Sequence, residues 1–253
     1  MRVVVTGASS GLGAALARHY ARRGATLALL ARRERELRHL ADQLRVPSFL
    51  YSVDVSDATA VSQAGADFVA RAGVPDLVIA NAGISVGTLT QEAGDLPIFE
   101  RVLAVNVLGM VNTFHPFIEP MRAAGGGTLA GIASVAGIRG LPGSGAYSAS
   151  KAATIAYLES LRGELRGSGM KVVTVAPGYV ETPMTAINTY TMPFILPVDE
   201  AARRIARVID AGRSYAVVPW QMAIVAKLLR VLPNRVFDAA LAGRGRKPRG
   251  AGP

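Results

Sequence analysis

The 253-residue chain has no cysteine, a single tryptophan and three histidines. Without cysteine no disulfide can form, no thiolate can act as nucleophile or metal ligand, and a reducing compartment is allowed. His19, His39 and His115 are scattered, with no H-E-x-x-H or comparable spacing, so no metal site is expected. Aromatic residues make up only 6% of a chain that is 50% hydrophobic. Ala, Val, Leu and Ile therefore carry the apolar content, as in a sheet buried on both faces. No uninterrupted apolar run reaches the ~18 residues of a membrane-spanning candidate. The chain opens Met1-Arg2 and enters an apolar stretch at once, without the separate hydrophobic and cleavage regions of a secretory signal. The expectation is a soluble, cytoplasmic protein.

Acidic charge is scarce too: 18 Asp and Glu stand against 28 Lys and Arg, a net charge of +10. Part of the excess is local. "GRGRKPRGAGP" at 243–253 holds Arg244, Arg246, Lys247 and Arg249 with no acid. A short basic segment rich in Gly and Pro reads as a disordered, solubilising tail over 242–253. Its four charges are too few to argue for nucleic acid, and no nucleic-acid partner is expected.

Residues 1–241 read as one domain. Short aliphatic runs alternate with longer segments of helical pattern. Strands are expected at 2–6, 25–31, 48–54, 76–83, 170–178 and 215–219 and within 127–137, which reads as strand then loop, with a single long helix over 97–122. Strands alternating with helices of this length make βαβ units, and right-handed crossovers then give an α/β fold. The expected architecture is a doubly wound, parallel, seven-stranded sheet with helices on both faces and ligands at the carboxyl ends of the strands.

"TGASSGLG" at 6–13 follows the first strand and opens the first helix. Gly7 permits a tight turn, Gly11 lets the backbone approach a pyrophosphate, and Gly13 allows the helix to pack closely on the sheet. Amides at the helix N-terminus then meet phosphate charge. Gly7, Ser9, Ser10, Gly11, Leu12 and Gly13 are the expected contacts; a Gly-rich turn without ligand is the plain alternative. At the end of the second strand an acid would bond a free ribose 2′-hydroxyl, but here Ala31 is followed by Arg32 and Arg33. Two guanidinium groups and no carboxylate favour a 2′-phosphate, hence NADP(H), with Arg32 as the principal contact. These arginines could also merely begin a charged helix. Asp54 and Val55 are placed to flank the adenine.

In "YSASK" a tyrosine and a lysine stand four residues apart, one helical turn on one face. An ammonium beside a phenol favours the ionised form and lowers a pKa that starts near ~10. Alone, the pair also fits an ordinary helix surface. Its company decides: TGxxxGxG at 6–13, Asn81-Ala82-Gly83 after the fourth strand, Asn106 in the long helix, Ser134 thirteen residues before Tyr147, and "PGYVET" at 177–182. Together these resemble the short-chain dehydrogenase/reductase family in its form of roughly 250 residues, over about residues 2–218.

The resemblance implies a Rossmann fold and a set of roles. Tyr147 would exchange a proton with the carbonyl or alcohol oxygen of a small-molecule substrate. Lys151 would lower the Tyr147 pKa and bond the nicotinamide ribose. Ser134 would hold the substrate oxygen, and Asn106 would bind a water leading from Lys151 to solvent. Asn81, Ala82 and Gly83 would contact the cofactor, and Pro177, Gly178, Val180 and Thr182 would lie beside its nicotinamide, with Thr182 on the carboxamide. The family often has a second Asn where Ala80 stands, and its NADP-preferring members often carry a basic residue where Ser9 and Ser10 stand. A homodimer or homotetramer is implied by resemblance only.

Residues 183–197 occupy the position of the family's mobile lid. Met184, Ile187, Tyr190, Met192, Phe194 and Ile195 make that lid apolar, suited to an apolar ketone, aldehyde or secondary alcohol rather than a sugar or an acid. Three readings stand for 220–241, two helical pieces split at Pro233: a cover for the pocket or a partner subunit, a segment lying on a membrane surface, or a completion of the core.

Overall fold

The computed structural model describes residues 1–243 and 245–249. Its seven strands are β1 Arg2–Thr6, β2 Thr26–Ala31, β3 Ser48–Ser52, β4 Leu77–Ala80, β5 Gly127–Ile132, β6 Met170–Pro177 and β7 Tyr215–Val218. They form one sheet in the order β3-β2-β1-β4-β5-β6-β7, parallel at every pairing. The order reverses at β1 and β4. The carboxyl ends of these two strands therefore open onto the crevice where such sheets bind ligands.

Alternation along each strand builds two cores. Val3, Val5, Leu27, Leu29 and Ile79 face α1 (Gly11–Ala21), α2 (Glu34–Leu44) and α8 (Val198–Asp210). Val4, Ala28, Leu30 and Val78 face the other way, against α3 (Ala58–Ala72), α5 (Gly109–Ala123) and α6 (Gly145–Glu164). Each large aliphatic side chain so buried contributes roughly 1.5–3 kcal/mol. That is why the strands read as unbroken aliphatic runs.

The helix expected over 97–122 is interrupted. α4 (Leu96–Leu103) passes into a π-helical turn, Ala104–Leu108, before α5 begins. The turn contains Asn106, and such a turn aims side chains differently from a regular helix. After β6 comes the short α7 (Pro183–Ala186), and beyond β7 lie α9 (Trp220–Val231) and α10 (Asn234–Leu241) with Pro233 between them.

Part of the basic tail lies outside the described residues, namely Arg244 and 250–253. Residues 245–249 do not stand free as a disordered tail would. Lys247 is buried, and Arg249 forms ion pairs with Asp95 (2.9 Å) and Glu92 (3.2 Å). No helix among the described residues is long and apolar enough to cross a membrane.

Candidate functional site

The Gly-rich turn is shaped by close approach. Gly7 has φ +67°, and a methyl group there would sit 2.8 Å from the Ala82 Cα. At Gly13 a methyl would collide with the Gly7 carbonyl and lie 2.6 Å from the Asn81 side-chain nitrogen. Asn81 Nδ2 donates to the Thr6 carbonyl at 3.0 Å, while Thr6 Oγ1 accepts from the amides of Asn81 (3.1 Å) and Ala82 (3.2 Å). Thr6 thus ties the end of β1 to the end of β4, a role the motif reading missed although the residue begins the motif. Thr182 caps α7 reciprocally with Thr185, and its Cγ2 lies 3.2 Å from where a Gly11 methyl would be. The segment after β6 therefore closes onto the Gly-rich turn. Val180, in the same segment, pairs with Leu196 across the base of the lid.

The two arginines after β2 behave differently. Arg33 Nη2 donates to Ser9 Oγ (2.9 Å) and Ser10 Oγ (2.7 Å), and its Nε reaches Ser9 Oγ at 3.3 Å. Arg32 is exposed, and its carbonyl accepts from Ser52 Oγ at 3.2 Å. The arginine joined to the turn is Arg33. Asp54 binds the Ser56 amide (2.9 Å), the Ser56 hydroxyl (2.6 Å) and the Arg101 guanidinium. Burial pushes its carboxyl pKa up, but these hydrogen bonds outweigh burial and hold it below the usual range. Val55 is buried, and a methyl at Gly109 would come within 2.6 Å of its Cγ2.

At the carboxyl ends of β5 and β6 the structure gathers Ser134, Tyr147 and Lys151. Ser134 follows β5, and its Oγ accepts from the Ala136 amide at 3.2 Å. Tyr147 and Lys151 lie in the first two turns of α6, with Lys151 Nζ 5.8 Å from the tyrosine ring centroid. Lys151 is 4% exposed, and Nζ donates to the Ile132 carbonyl at 2.8 Å. Gly83 is the neighbour that leaves room: a methyl there would be 3.1 Å from Asn106 Oδ1 and 3.6 Å from Lys151 Nζ. Asn106 Oδ1 accepts from the Ile84 amide (2.8 Å), and Nδ2 donates to the Ile84 carbonyl and to Ser150 Oγ (both 2.9 Å). Both amide hydrogens are used. Only the second lone pair of Oδ1 and the backbone of the π turn remain for a water.

Electrostatics at this cluster differ from the sequence expectation. Burial is the largest influence on the Tyr147 phenol and pushes its pKa up. Ser134 bonds it and pulls it down, and Tyr179 nearby pushes it up again. The rise is the net direction. The Lys151 ammonium donates to the Ile132 carbonyl. Burial lowers Lys151 itself to about 8. Beside the cluster opens a mostly apolar cleft of about 920 Å³, part of it open to solvent. Val135 and Ala136 wall it next to Ser134, Tyr179 and Tyr190 cross it, and Met222 and Leu229 of α9 form its far side. Among the described residues no group of three His, Asp or Glu could hold a metal ion.

A family model described as short chain dehydrogenase matches residues 1–192. An uncharacterised oxidoreductase of Myxococcus xanthus is 40% identical over 243 residues, 94% of either chain. An uncharacterised oxidoreductase of Mycobacterium tuberculosis is 36% identical over 244 residues, 93% of this chain and 95% of that one. Among solved structures, an alcohol dehydrogenase from the archaeon Thermococcus sibiricus, complexed with 5-hydroxy-NADP, superposes with a TM-score of 0.75. It shares 27% identity over 86% of this chain and 95% of that one.

Proposed function

The chain belongs to the short-chain dehydrogenase family, and on that premise we propose that it is an NADP(H)-dependent oxidoreductase interconverting an apolar carbonyl compound and its alcohol. The observation that carries this reading is the meeting of Ser134, Tyr147 and Lys151 next to an apolar cleft whose wall includes Val135 and Ala136, the residues that follow Ser134.

The residues fit a dinucleotide. The turn at Gly7, Gly11 and Gly13 leaves a cradle that side chains would fill, and α1 begins within it with its free amides. Arg33, Ser9 and Ser10 form a cluster of donors suited to a ribose 2′-phosphate, which is our ground for NADP(H) over NAD(H). Asn81, Ala82, Gly83, Pro177, Gly178, Val180 and Thr182 would border the nicotinamide end. Bound there, the cofactor supplies the hydride.

The protein's own part is proton transfer and charge stabilisation. A phenol whose pKa is raised stays protonated at neutral pH, the form required of a donor to a carbonyl oxygen. As the proton leaves, negative charge grows on the Tyr147 oxygen. The buried Lys151 ammonium one turn along stabilises that charge, more strongly than it would in water. Ser134 offers a second hydrogen bond to the substrate oxygen. In the reverse direction Tyr147 must first be ionised, so alcohol oxidation is favoured by high pH.

A second reading, reduction of a lipid-like ketone at a membrane surface, is favoured by one feature of α9. Trp220, Ile224, Leu228 and Val231 are 52–76% exposed on one side of this helix, while Met222, Val225, Ala226 and Leu229 face the cleft on the other. Lys227 and Arg230 flank the exposed stripe.

The test is oxidation of NADPH and of NADH by the purified protein over a panel of apolar ketones and aldehydes. Turnover with NADPH preferred supports the reading. NADPH binding without turnover on any carbonyl would instead fit a nucleotide-bound regulator. Flotation with anionic vesicles, lost on W220E, separates the membrane reading, and sedimentation checks for the homodimer or homotetramer expected of the family.

A further inference from the structure

The cleft has a feature that the lid sequence does not foreshadow. Its wall includes Arg139, Arg246 and Lys247, and among the described residues no carboxylate lines it. Arg139 is already committed. It donates to the carbonyls of Leu229 and Leu232 (2.7 Å for the latter) and to Asn234 Oδ1 (3.0 Å), and its guanidinium lies 3.8 Å from the centre of the Phe237 ring. It rivets α9 and α10 to the loop after β5.

Lys247 is not committed in that way. It is 6% exposed, and its ammonium, with three hydrogens to donate, has among the described residues a single acceptor, the Met184 carbonyl at 3.1 Å. Among the described residues neither Lys247 nor Arg246 pairs with a carboxylate, although Arg249, two residues on, pairs with both Asp95 and Glu92. Burial lowers Lys247 to about 8, so the amine is still mostly charged at neutral pH.

The backbone explains how a tail residue comes to be buried. Arg249 anchors the strap to Asp95, the Gly87 amide donates to the Pro248 carbonyl at 3.2 Å, and Gly87 and Arg249 pair as in a parallel ladder. A side chain at Gly87 would stand 2.8 Å from the Pro248 oxygen, so only glycine admits the strap. Lys247 is thereby held between the lid at Met184 and the cleft.

A buried charge is normally paired, because removing it from water is costly without a partner. We propose that Lys247, with Arg246 beside it, is the receptor for a carboxylate on the substrate, making that substrate an apolar carbonyl compound with one anionic end. One ammonium in an otherwise apolar wall, aided by one guanidinium, matches a single negative charge. The lid alone argued against acids; the strap reverses that expectation. The inference rests on the cleft being the substrate site of the reductase proposed above.

The test compares binding of decanoate and 1-decanol to the full chain by calorimetry, in wild type, K247M and K247R. Decanoate should bind wild type at least tenfold more tightly than decanol. K247M should bring that ratio close to one, and K247R should retain a preference for the acid. In turnover with NADPH, 9-oxodecanoate should show a KM at least tenfold below that of its methyl ester, with the gap closed in K247M. Equal binding of acid and alcohol to wild type, or a ratio unchanged in K247M, overturns the proposal. If neither ketone is reduced while decanoate still binds selectively through Lys247, the reductase reading has failed and the carboxylate site stands.

Discussion

Asn106 and Ile84 form a reciprocal pair: the asparagine Oδ1 accepts from the Ile84 amide at 2.8 Å, and its Nδ2 donates to the Ile84 carbonyl at 2.9 Å. A side chain from the π turn thus completes the backbone hydrogen bonding of the loop after β4, as a neighbouring strand would. In N106A both Ile84 groups lose their partner in the interior. Each such group costs about 1–3 kcal/mol, so a loss of roughly 2–6 kcal/mol in unfolding free energy is expected. Urea unfolding measures it. A loss below about 0.5 kcal/mol, the level of an ordinary surface change, would contradict this role.

Gly13→Ala tests the cradle. The added methyl collides with the Gly7 carbonyl, which belongs to backbone and cannot swing aside. Overpacking of this kind costs about 1–3 kcal/mol, and the displaced turn should lose NADPH affinity as well. Fluorescence titration with NADPH and thermal unfolding read the two effects. An alanine variant binding NADPH as wild type does would show that the close approach of α1 is dispensable.

Coenzyme preference should follow Arg33 more than Arg32. A charge-assisted hydrogen bond is worth about 1.5–3 kcal/mol, so R33Q should lower kcat/KM for NADPH by about 10- to 100-fold and leave NADH little changed. R32Q should have the smaller effect, since Arg32 does not join Ser9 and Ser10. The reverse ranking would restore the expectation taken from sequence.

The difference between these two arginines marks where sequence reading stops. Strand and helix alternation was legible because the central strands are covered on both faces, as Val3, Val4 and Val5 show within one run. The split at Pro233 was legible because proline marks helix starts and stops. Site residues announced themselves through local spacing, as with Tyr147 and Lys151. Pairings across the fold leave no local sign. Arg33 reaching back to Ser9, Arg101 meeting Asp54 and Arg249 meeting Asp95 are each set by how distant segments pack. The π turn at Asn106 was hidden for a related reason, since its apolar neighbours Val105 and Val107 fit a regular helix equally well. The acidity of Tyr147 depends first on how deeply the fold buries it, which spacing alone does not tell.

Lys151 gives a pH dependence with a definite sign. Its pKa falls from 10.5 to about 8 on folding, so between those values the unfolded chain binds more protons than the folded one. Stability contributed at this position therefore rises as pH increases through that window, by roughly 3 kcal/mol in all. Below pH 8 the buried charge is a constant penalty. The unfolding free energy of wild type relative to K151M should climb between about pH 8 and 10.5; a flat difference would mean that the ammonium is not desolvated in solution.

Tyr147→Phe is the most direct test of the proposed chemistry, because it deletes the proton donor and keeps the ring. Steady-state reduction of a carbonyl substrate by NADPH should fall by about 100- to 10,000-fold in kcat/KM, the usual worth of a positioned general acid. NADPH affinity should stay within about twofold of wild type, well under the 1.4 kcal/mol of a tenfold change. A variant that still turns over within about tenfold of wild type would contradict the assignment of Tyr147 as the proton donor.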